Sequence, residues 1–308
     1  MLSIVVNFYN NRREAANTLY ALTRKYQGLA ADFRYEVIAL DHGSTLPLSA
    51  EDVRAFGPEF VYRYIETSDI SPVRAVNAAC RDAAGDRLAI MIDGAHIVSP
   101  GVLAGIERAF TLFASPFVAT VPLHLGPKVQ NASVKEGYDQ RAEDELLRRL
   151  AWKDDGYRLF AGAGSFSDGS LGWFGCLFES GCFALAKRDF VALGGFDERF
   201  QSRGGGLVNL DFFQRAAGRR DLEYVLLLGE GTFHQFHGGV ASNAPADATP
   251  WKEFHEEYQR LTGRRFERVA RRPYFLGAVP PHALAATRIS ADLGLEQWLK
   301  WRAGGVRA

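Results

Sequence analysis

Over the first 125 residues, short apolar runs alternate with stretches of helical spacing, and two of the runs stop at an aspartate close to a glycine. That alternation limits the fold more than any other feature. Ser3–Val6, Tyr35–Leu40, Phe60–Ile65, Arg87–Ile92 and Phe117–Leu123 have strand length and are rich in β-branched and aromatic residues. Between them, Ala15, Leu19, Leu22 and Tyr26 recur with a helical period. So do Val73, Val76, Cys80 and Ala83, and Leu103, Ile106, Phe110 and Phe113. Ser71-Pro72 and Ser99-Pro100 read as helix starts, with serine as cap and proline in the first turn. Strands alternating with helices imply parallel βαβ units. Ligands in such sheets sit beyond the carboxyl ends of the strands, where Tyr9, Asp41 and Asp93 are all expected.

The pattern changes after about Gly126. Residues 128–180 are polar and glycine-rich, with one amphipathic helix near Glu143 to Trp152, and read as a substrate loop or lid. Order returns with a strand at Gly181–Leu185, a helix around Asn209–Ala217 and a strand at Tyr224–Leu228, followed by His234 and His237. From about Thr249 come a charged helix, an arginine cluster and a closing amphipathic helix with Trp298 and Trp301. The cluster is Arg260, Arg264, Arg265, Arg268, Arg271 and Arg272. It reads first as a solvated face paired with Glu253, Glu256 and Glu257. Its alternative is a site for a diphosphate, a phosphorylated glycan or, peripherally, an anionic membrane surface.

A chain of 308 residues buries a sizeable core, and its formal net charge of zero gives no global field toward nucleic acid. Three cysteines without a CxxC pair are expected as buried free thiols. No apolar run has bilayer length and no secretory pattern opens the chain, so a cytoplasmic protein is expected.

The chemistry concentrates at Ile90-Met91-Ile92-Asp93-Gly94-Ala95-His96, a buried-type run ending in an acid with an imidazole three residues on. Asp93 and His96 together could hold a divalent cation. Asp41 and Asp93 either serve a nucleotide or cap turns, as aspartate before glycine often does. His234 and His237, if both lie on a strand, fall on opposite faces, so a metal would take one of them.

Ser3-Ile4-Val5-Val6-Asn7-Phe8-Tyr9-Asn10, followed by Ala39-Leu40-Asp41-His42-Gly43-Ser44-Thr45, resembles the opening of family-two glycosyltransferases with the GT-A fold. Their strands end in Pro-Thr-Tyr-Asn and Asp-Asp-Gly-Ser. Arg74 and Asn77 match that family's Arg-x-x-Asn, and Gly194-Gly195-Phe196-Asp197-Glu198 matches its Gly-Gly-Phe-Asp-Glu. Asp211 with Arg215 matches the end of its Glu-Asp-x-Asp-Leu-x-x-Arg helix.

The resemblance covers residues 1–240. It implies a GT-A (Rossmann-like) α/β fold, with a mixed, mainly parallel sheet flanked by helices. A donor half at 1–125 and an acceptor half at 126–240 would precede a C-terminal helical extension at 241–308. The implied activity is inverting transfer of a sugar from a nucleotide-sugar to a glycan or lipid-linked glycan, at the inner face of a membrane. Phe8, Tyr9, Asp41, Arg74, Asn77 and Asp93 would bind the donor. Asp197, Glu198 and Gly205 would border the acceptor, with Gly204-Gly205-Gly206 as a mobile segment. The implied cofactor is Mn2+ or Mg2+.

Four departures bear on that expectation. Ala95 stands where the family's Asp-x-Asp has its second, metal-binding aspartate. His42 replaces an aspartate and Asn7 a proline. Asn209 occupies the position of the catalytic aspartate, and an amide cannot accept a proton at neutral pH. Three readings follow. A metal site is rebuilt from Asp93, His96 and one of His234 or His237, with Asp211 or Glu179 as base. Alternatively transfer proceeds without metal, with arginine or lysine neutralising the diphosphate. In the third, catalysis is lost and a sugar-nucleotide or glycan binder remains.

Overall fold

The computed structural model describes residues 1–167, 170–239, 242–243, 249–268 and 271–303. Its strands are β1 (Leu2–Phe8), β2 (Tyr35–His42), β3 (Phe60–Ile65), β4 (Arg87–Met91), β5 (His96–Val98), β6 (Pro116–His124), β7 (Ser165–Phe166), β8 (Phe183–Ala186), β9 (Glu223–His234) and β10 (Tyr274–Gly277). All join one sheet in the order β10-β9-β6-β8-β4-β1-β2-β3, with β5 added on β9 and β7 on β6. β1 pairs in parallel with β2 and β4, β2 with β3, and β9 with β6 and β10. Only β8, β5 and β7 run antiparallel to their partners. β1 is buried at every position, as a strand covered by helices on both faces must be.

The expected helices form, and their inward faces are those the spacing gives: Val73, Val76, Cys80 and Ala83 are all buried. Their starts differ from expectation. The helix Val73–Asp82 begins after Pro72 without a side-chain cap, and Ser71 Oγ instead donates to Phe200 O at 2.7 Å. Likewise Ser99 does not cap Val102–Leu112; its hydroxyl donates to the buried Glu230 carboxylate. In both cases a distant acceptor outcompetes the local helix terminus.

The stretch 128–180 is more ordered than its composition suggests. It carries helices at Gln130–Lys135, Gln140–Leu150 and Leu159–Gly162, besides β7. All three cysteines are buried thiols outside any disulfide.

Beneath β8 the core is aromatic. Phe183, Phe190, Phe196 and Phe212 interlock, with Phe183 stacked on Phe212 at 5.3 Å and Phe196 against Phe212 at 4.8 Å. Phe196 belongs to the Gly-Gly-Phe-Asp-Glu turn, and Asn77 grips it. Asn77 Oδ1 accepts from Phe196 N at 2.9 Å, and Nδ2 donates to Phe196 O at 2.8 Å. Phe212→Ala should therefore cost about 3–5 kcal/mol, the usual range for deleting a buried ring. Urea unfolding checks this; a loss under about 1 kcal/mol, as at a tolerant surface site, contradicts the packing.

Past residue 249, the helix Trp251–Thr262 precedes β10, which extends the main sheet, and the helix Leu284–Ala303 closes the chain. The arginine cluster is partly spent in packing. Arg271 donates to the carbonyls of Ala217, Arg219 and Leu222, capping the helix Val208–Gly218. Arg268 lies 4.4 Å over Phe178 and Arg272 5.0 Å over Trp298. Among the described residues no helix is long and apolar enough to cross a membrane.

Candidate metal and nucleotide site

The strand order places the site. From β1 the chain moves outward to β2 and β3, then returns to the other side of β1 as β4. Strands β2 and β4 thus lie on opposite sides of β1, the topology at which such sheets bind ligands in a crevice beyond their carboxyl edge. Tyr9 follows β1 and Asp93 follows β4. Gly94 is required at this junction: a Cβ would lie 2.3 Å from Phe8 Cδ1 and 2.6 Å from Asn7 O. Asp93 Oδ1 accepts from Ala95 N at 2.9 Å, which turns Oδ2 toward the imidazoles. Ala95 itself is fully buried, so the position of the family's second aspartate lies inside the core.

Three histidines come level by strand register. β6 pairs His124 with His234, and β5 pairs His96 with His234. Their rings lie 5.3 and 4.8 Å from that of His234. His237 arrives from the turn beyond β9, its ring 5.1 Å from His234. Asp93 Oδ2 stands 3.2 Å from His234 Nε2, 3.6 Å from His237 Nε2 and 3.8 Å from His96 Nδ1. His234 and His237 thus face the same acid, against the expectation of opposite faces. The strand ends at His234, so its alternation does not extend to His237. His124 was not legible as part of this row; the one hint is that it ends its strand as His234 ends its own.

Electrostatics favours a cation here. Burial pushes the Asp93 carboxyl up, but His237, His234 and His96 outweigh it and hold it well below the usual carboxylate range. Burial lowers His96 and His237 to about 4, with like-charge repulsion from His234 adding to it. At neutral pH Asp93 is therefore a carboxylate, with His96 and His237 beside it as neutral imidazoles. Ligand atoms about 2.1 Å from a shared ion lie roughly 3.0–3.5 Å apart. The Asp93–His234 separation has that spacing, and ring nitrogens of His96 and His234 and the Asp93 oxygen all lie within 4.8 Å of one another. Gly181 packs close behind His96, where a Cβ would lie 3.1 Å from His96 Nε2 and 2.4 Å from Thr232 Oγ1, a buried hydroxyl with no partner among the described residues. The donor set fits a divalent ion held by Asp93, His234 and His96.

The segment bearing His237 is clamped from both sides. Glu143, fully buried, accepts from Phe236 N at 2.8 Å and from Tyr138 OH at 3.1 Å, while Arg13 donates to Phe236 O at 3.0 Å and to Glu143 at 3.0 Å. Burial pushes the Glu143 carboxyl up to about 7. A carboxyl raised on folding contributes stability below its unfolded value, and that contribution is lost as pH rises toward 7. Glu143→Gln should remove this slope. Urea unfolding across pH 4.5–7 should show the variant gaining on wild type as pH rises; parallel profiles contradict it.

The other expected residues are placed as follows. Tyr9 is 54% exposed at the crevice mouth, but Phe8 is fully buried. Phe8 therefore packs in the core, because β1 is covered on both faces and buried along its whole length. Asp41 is fully buried, and its oxygens accept from Ser44 N at 3.3 Å, Leu48 N at 2.8 Å and Tyr62 OH at 3.3 Å. Its visible work is shaping the turn after β2. Asn10, at φ 54°, stitches that turn to the loop after β1 by accepting from Thr45 N at 2.9 Å. Arg74 is exposed, 4.0 Å from Glu198, while Asn77 is committed to Phe196. Asp197 is held by Arg199 at 2.6 Å, and Gly205 sits at φ 86° in the turn before Val208–Gly218.

Asp211 is buried, and Arg215 Nε donates to it at 2.7 Å; that guanidinium also donates to Leu193 O at 2.7 Å and Gly195 O at 2.8 Å. Through Arg215 the Asp211 carboxylate ties the helix Val208–Gly218 to the turn at Leu193–Gly195. Asn209 Nδ2 approaches Ser180 O at 3.5 Å, which sets Asn209 beside the segment bearing Glu179. Glu179 is partly exposed and accepts from Ser167 Oγ at 3.4 Å.

No family model matches the sequence, and no curated protein matches it. Among solved structures, the chain is similar to S. aureus TarS 1-349 in complex with UDP-GlcNAc, with a TM-score of 0.54 at 15% identity, over 84% of this chain and 65% of that one. Against S. aureus TarS 1-349 without that ligand the TM-score is 0.45 at 14% identity, over 84% and 64%. The chain thus spans about two thirds of the length of those structures. At this level of identity the likeness speaks to architecture alone: the chain shares the fold of the first of those structures, and its acid–histidine cluster lies at the carboxyl edge of the sheet.

Proposed function

We propose that this chain transfers a sugar from a nucleoside-diphosphate sugar to a hydroxyl of a glycan or lipid-linked glycan. The observation that carries the reading is the convergence of Asp93 with His234, His96 and His237 at the crevice between β1 and β4. The fold likeness to a protein crystallised with UDP-GlcNAc supports a nucleotide-sugar as ligand class. Bound by Asp93, His234 and His96, a divalent ion supplies the positive charge that a leaving diphosphate needs. An imidazole-rich set suits a borderline transition ion better than magnesium, which favours oxygen ligands. The exposed Tyr9 ring offers a face for the base. Glu179, next in sequence to the Ser180 that Asn209 contacts, is our candidate to take the acceptor proton, because Asp211 is engaged by Arg215.

One observation favours a second reading, a sugar-nucleotide binder with weak or no turnover: an amide stands at Asn209 and its Oδ1 is buried without a partner. Calorimetry with uridine, guanosine and cytidine diphosphates, with and without Mn2+, separates these from an unrelated function. Both readings expect metal-dependent binding of at least one nucleotide. Absence of binding to any of them contradicts both, and binding without turnover supports the second.

A further inference from the structure

Three imidazoles face Asp93, yet their hydrogen bonds sort them into different roles. The sorting follows from backbone groups, whose donor and acceptor ends cannot exchange. Asn243 Oδ1 accepts from the N–H groups of His237 and Gly239, both at 3.0 Å, so its Nδ2 is the atom 2.8 Å from Gln130. Gln130 Nε2 donates to His234 O at 2.9 Å, so Oε1 is the acceptor facing Asn243. That same Oε1 lies 2.6 Å from His234 Nδ1, which must therefore carry the proton. In the neutral ring His234 Nε2 is then a lone pair, 3.2 Å from Asp93 Oδ2, the spacing of two donors that share a bound cation.

His237 is set the opposite way. Asn11 Oδ1 accepts from Tyr9 N at 2.9 Å, so its Nδ2 is the atom 3.1 Å from His237 Nδ1. Nδ1 accepts, and the neutral ring holds its proton on Nε2. That N–H points at His234 Nε2, 3.2 Å away, with Asp93 Oδ2 at 3.6 Å.

We infer that Gln130 makes His234 a metal ligand, whereas Asn11 makes His237 a hydrogen-bond donor to the metal's ligand sphere. This rests on the metal reading proposed above. His237 stands in the cluster as a proton-bearing group directed at Asp93 or at an oxygen of a bound diphosphate, and not as a third imidazole ligand. Outer hydrogen bonds of this kind set which nitrogen of a histidine can coordinate.

Asn11→Asp provides the decisive change. One carboxylate oxygen still accepts from Tyr9 N, while the other presents an acceptor to His237 Nδ1. The proton is then drawn to Nδ1 and Nε2 becomes a lone pair. Co2+ titration followed by its visible spectrum should show tighter binding in Asn11→Asp by about tenfold, the scale of outer-partner effects. The gain should vanish in the Asn11→Asp/His237→Gln double variant, which separates it from added negative charge. His237→Gln alone should cost about tenfold in Co2+ affinity, the scale of an outer hydrogen bond, whereas His234→Gln should abolish binding. Long-range 15N–1H spectra of the metal-free protein should show His234 protonated at Nδ1 and His237 at Nε2. A His237→Gln loss equal to that of His234→Gln, or a proton at His237 Nδ1, overturns the inference. If wild type binds no Co2+, the metal reading itself fails, and the ligand–donor division falls with it; the 15N spectra still decide the two tautomers.

Discussion

Asp93→Ala should lower metal-dependent nucleoside-diphosphate affinity by about 100-fold, or roughly 2.7 kcal/mol, with little change in thermal stability. Asp93 is the one carboxylate in the group with His96 and His234, and burial keeps the neighbouring His96 neutral. Without it, neutral rings alone must hold a doubly charged ion at the sheet edge. The cost to folding is small because the Asp93 side chain is 34% exposed and, apart from the imidazoles of the cluster, its partner among the described residues is Ala95 N. Calorimetry with Mn2+ and a nucleoside diphosphate reads the effect directly. Affinity unchanged in Asp93→Ala would place the ion, or the diphosphate, elsewhere.

Asp211 and Glu179 should separate stability from turnover. Asp211→Ala leaves the Arg215 guanidinium without its counterion between Leu193 and Gly195. Breaking such a pair costs roughly 3–5 kcal/mol when fully buried; with Arg215 27% exposed, about 2–3 kcal/mol is expected. Glu179→Gln should leave unfolding unchanged and reduce transfer by about 100-fold or more, the contribution of a positioned base. Donor binding should survive in both. If Asp211→Ala proves neutral to unfolding, the tying role is wrong. If Glu179→Gln turns over at the wild-type rate, the base lies elsewhere.

Much of the fold was legible because burial writes itself into short windows. β1 to β4 and the helix faces at Val73, Val76 and Cys80 follow from local period alone. β9 was legible only as far as Leu228. Beyond it the strand absorbs Gly229, at φ 79°, and Gly231 near a register shift against β6, and runs on to His234. The helix starts at Ser71 and Ser99 misled because their hydroxyls serve acceptors 129 and 131 residues away.

The candidate site divides in the same way. Asp93, His96, His234 and His237 could be nominated singly from strand ends and spacing. Their convergence depends on β5 and β6 both registering against β9, which no local window contains. Phe8 and Asp41 show the converse, since motif position alone does not say whether a side chain faces the crevice or the core. Gln130 and Asn11, which set the imidazole tautomers, lie more than 100 residues from the rings they govern.

The most direct test is a crystal grown with Mn2+ and a nucleoside diphosphate, with anomalous scattering recorded at the manganese edge. A peak about 2.0–2.3 Å from both Asp93 Oδ2 and His234 Nε2, with diphosphate oxygens completing the sphere, is the predicted result. A diphosphate bound with no anomalous peak at Asp93 would contradict the account and show that cationic side chains neutralise the leaving group without a metal.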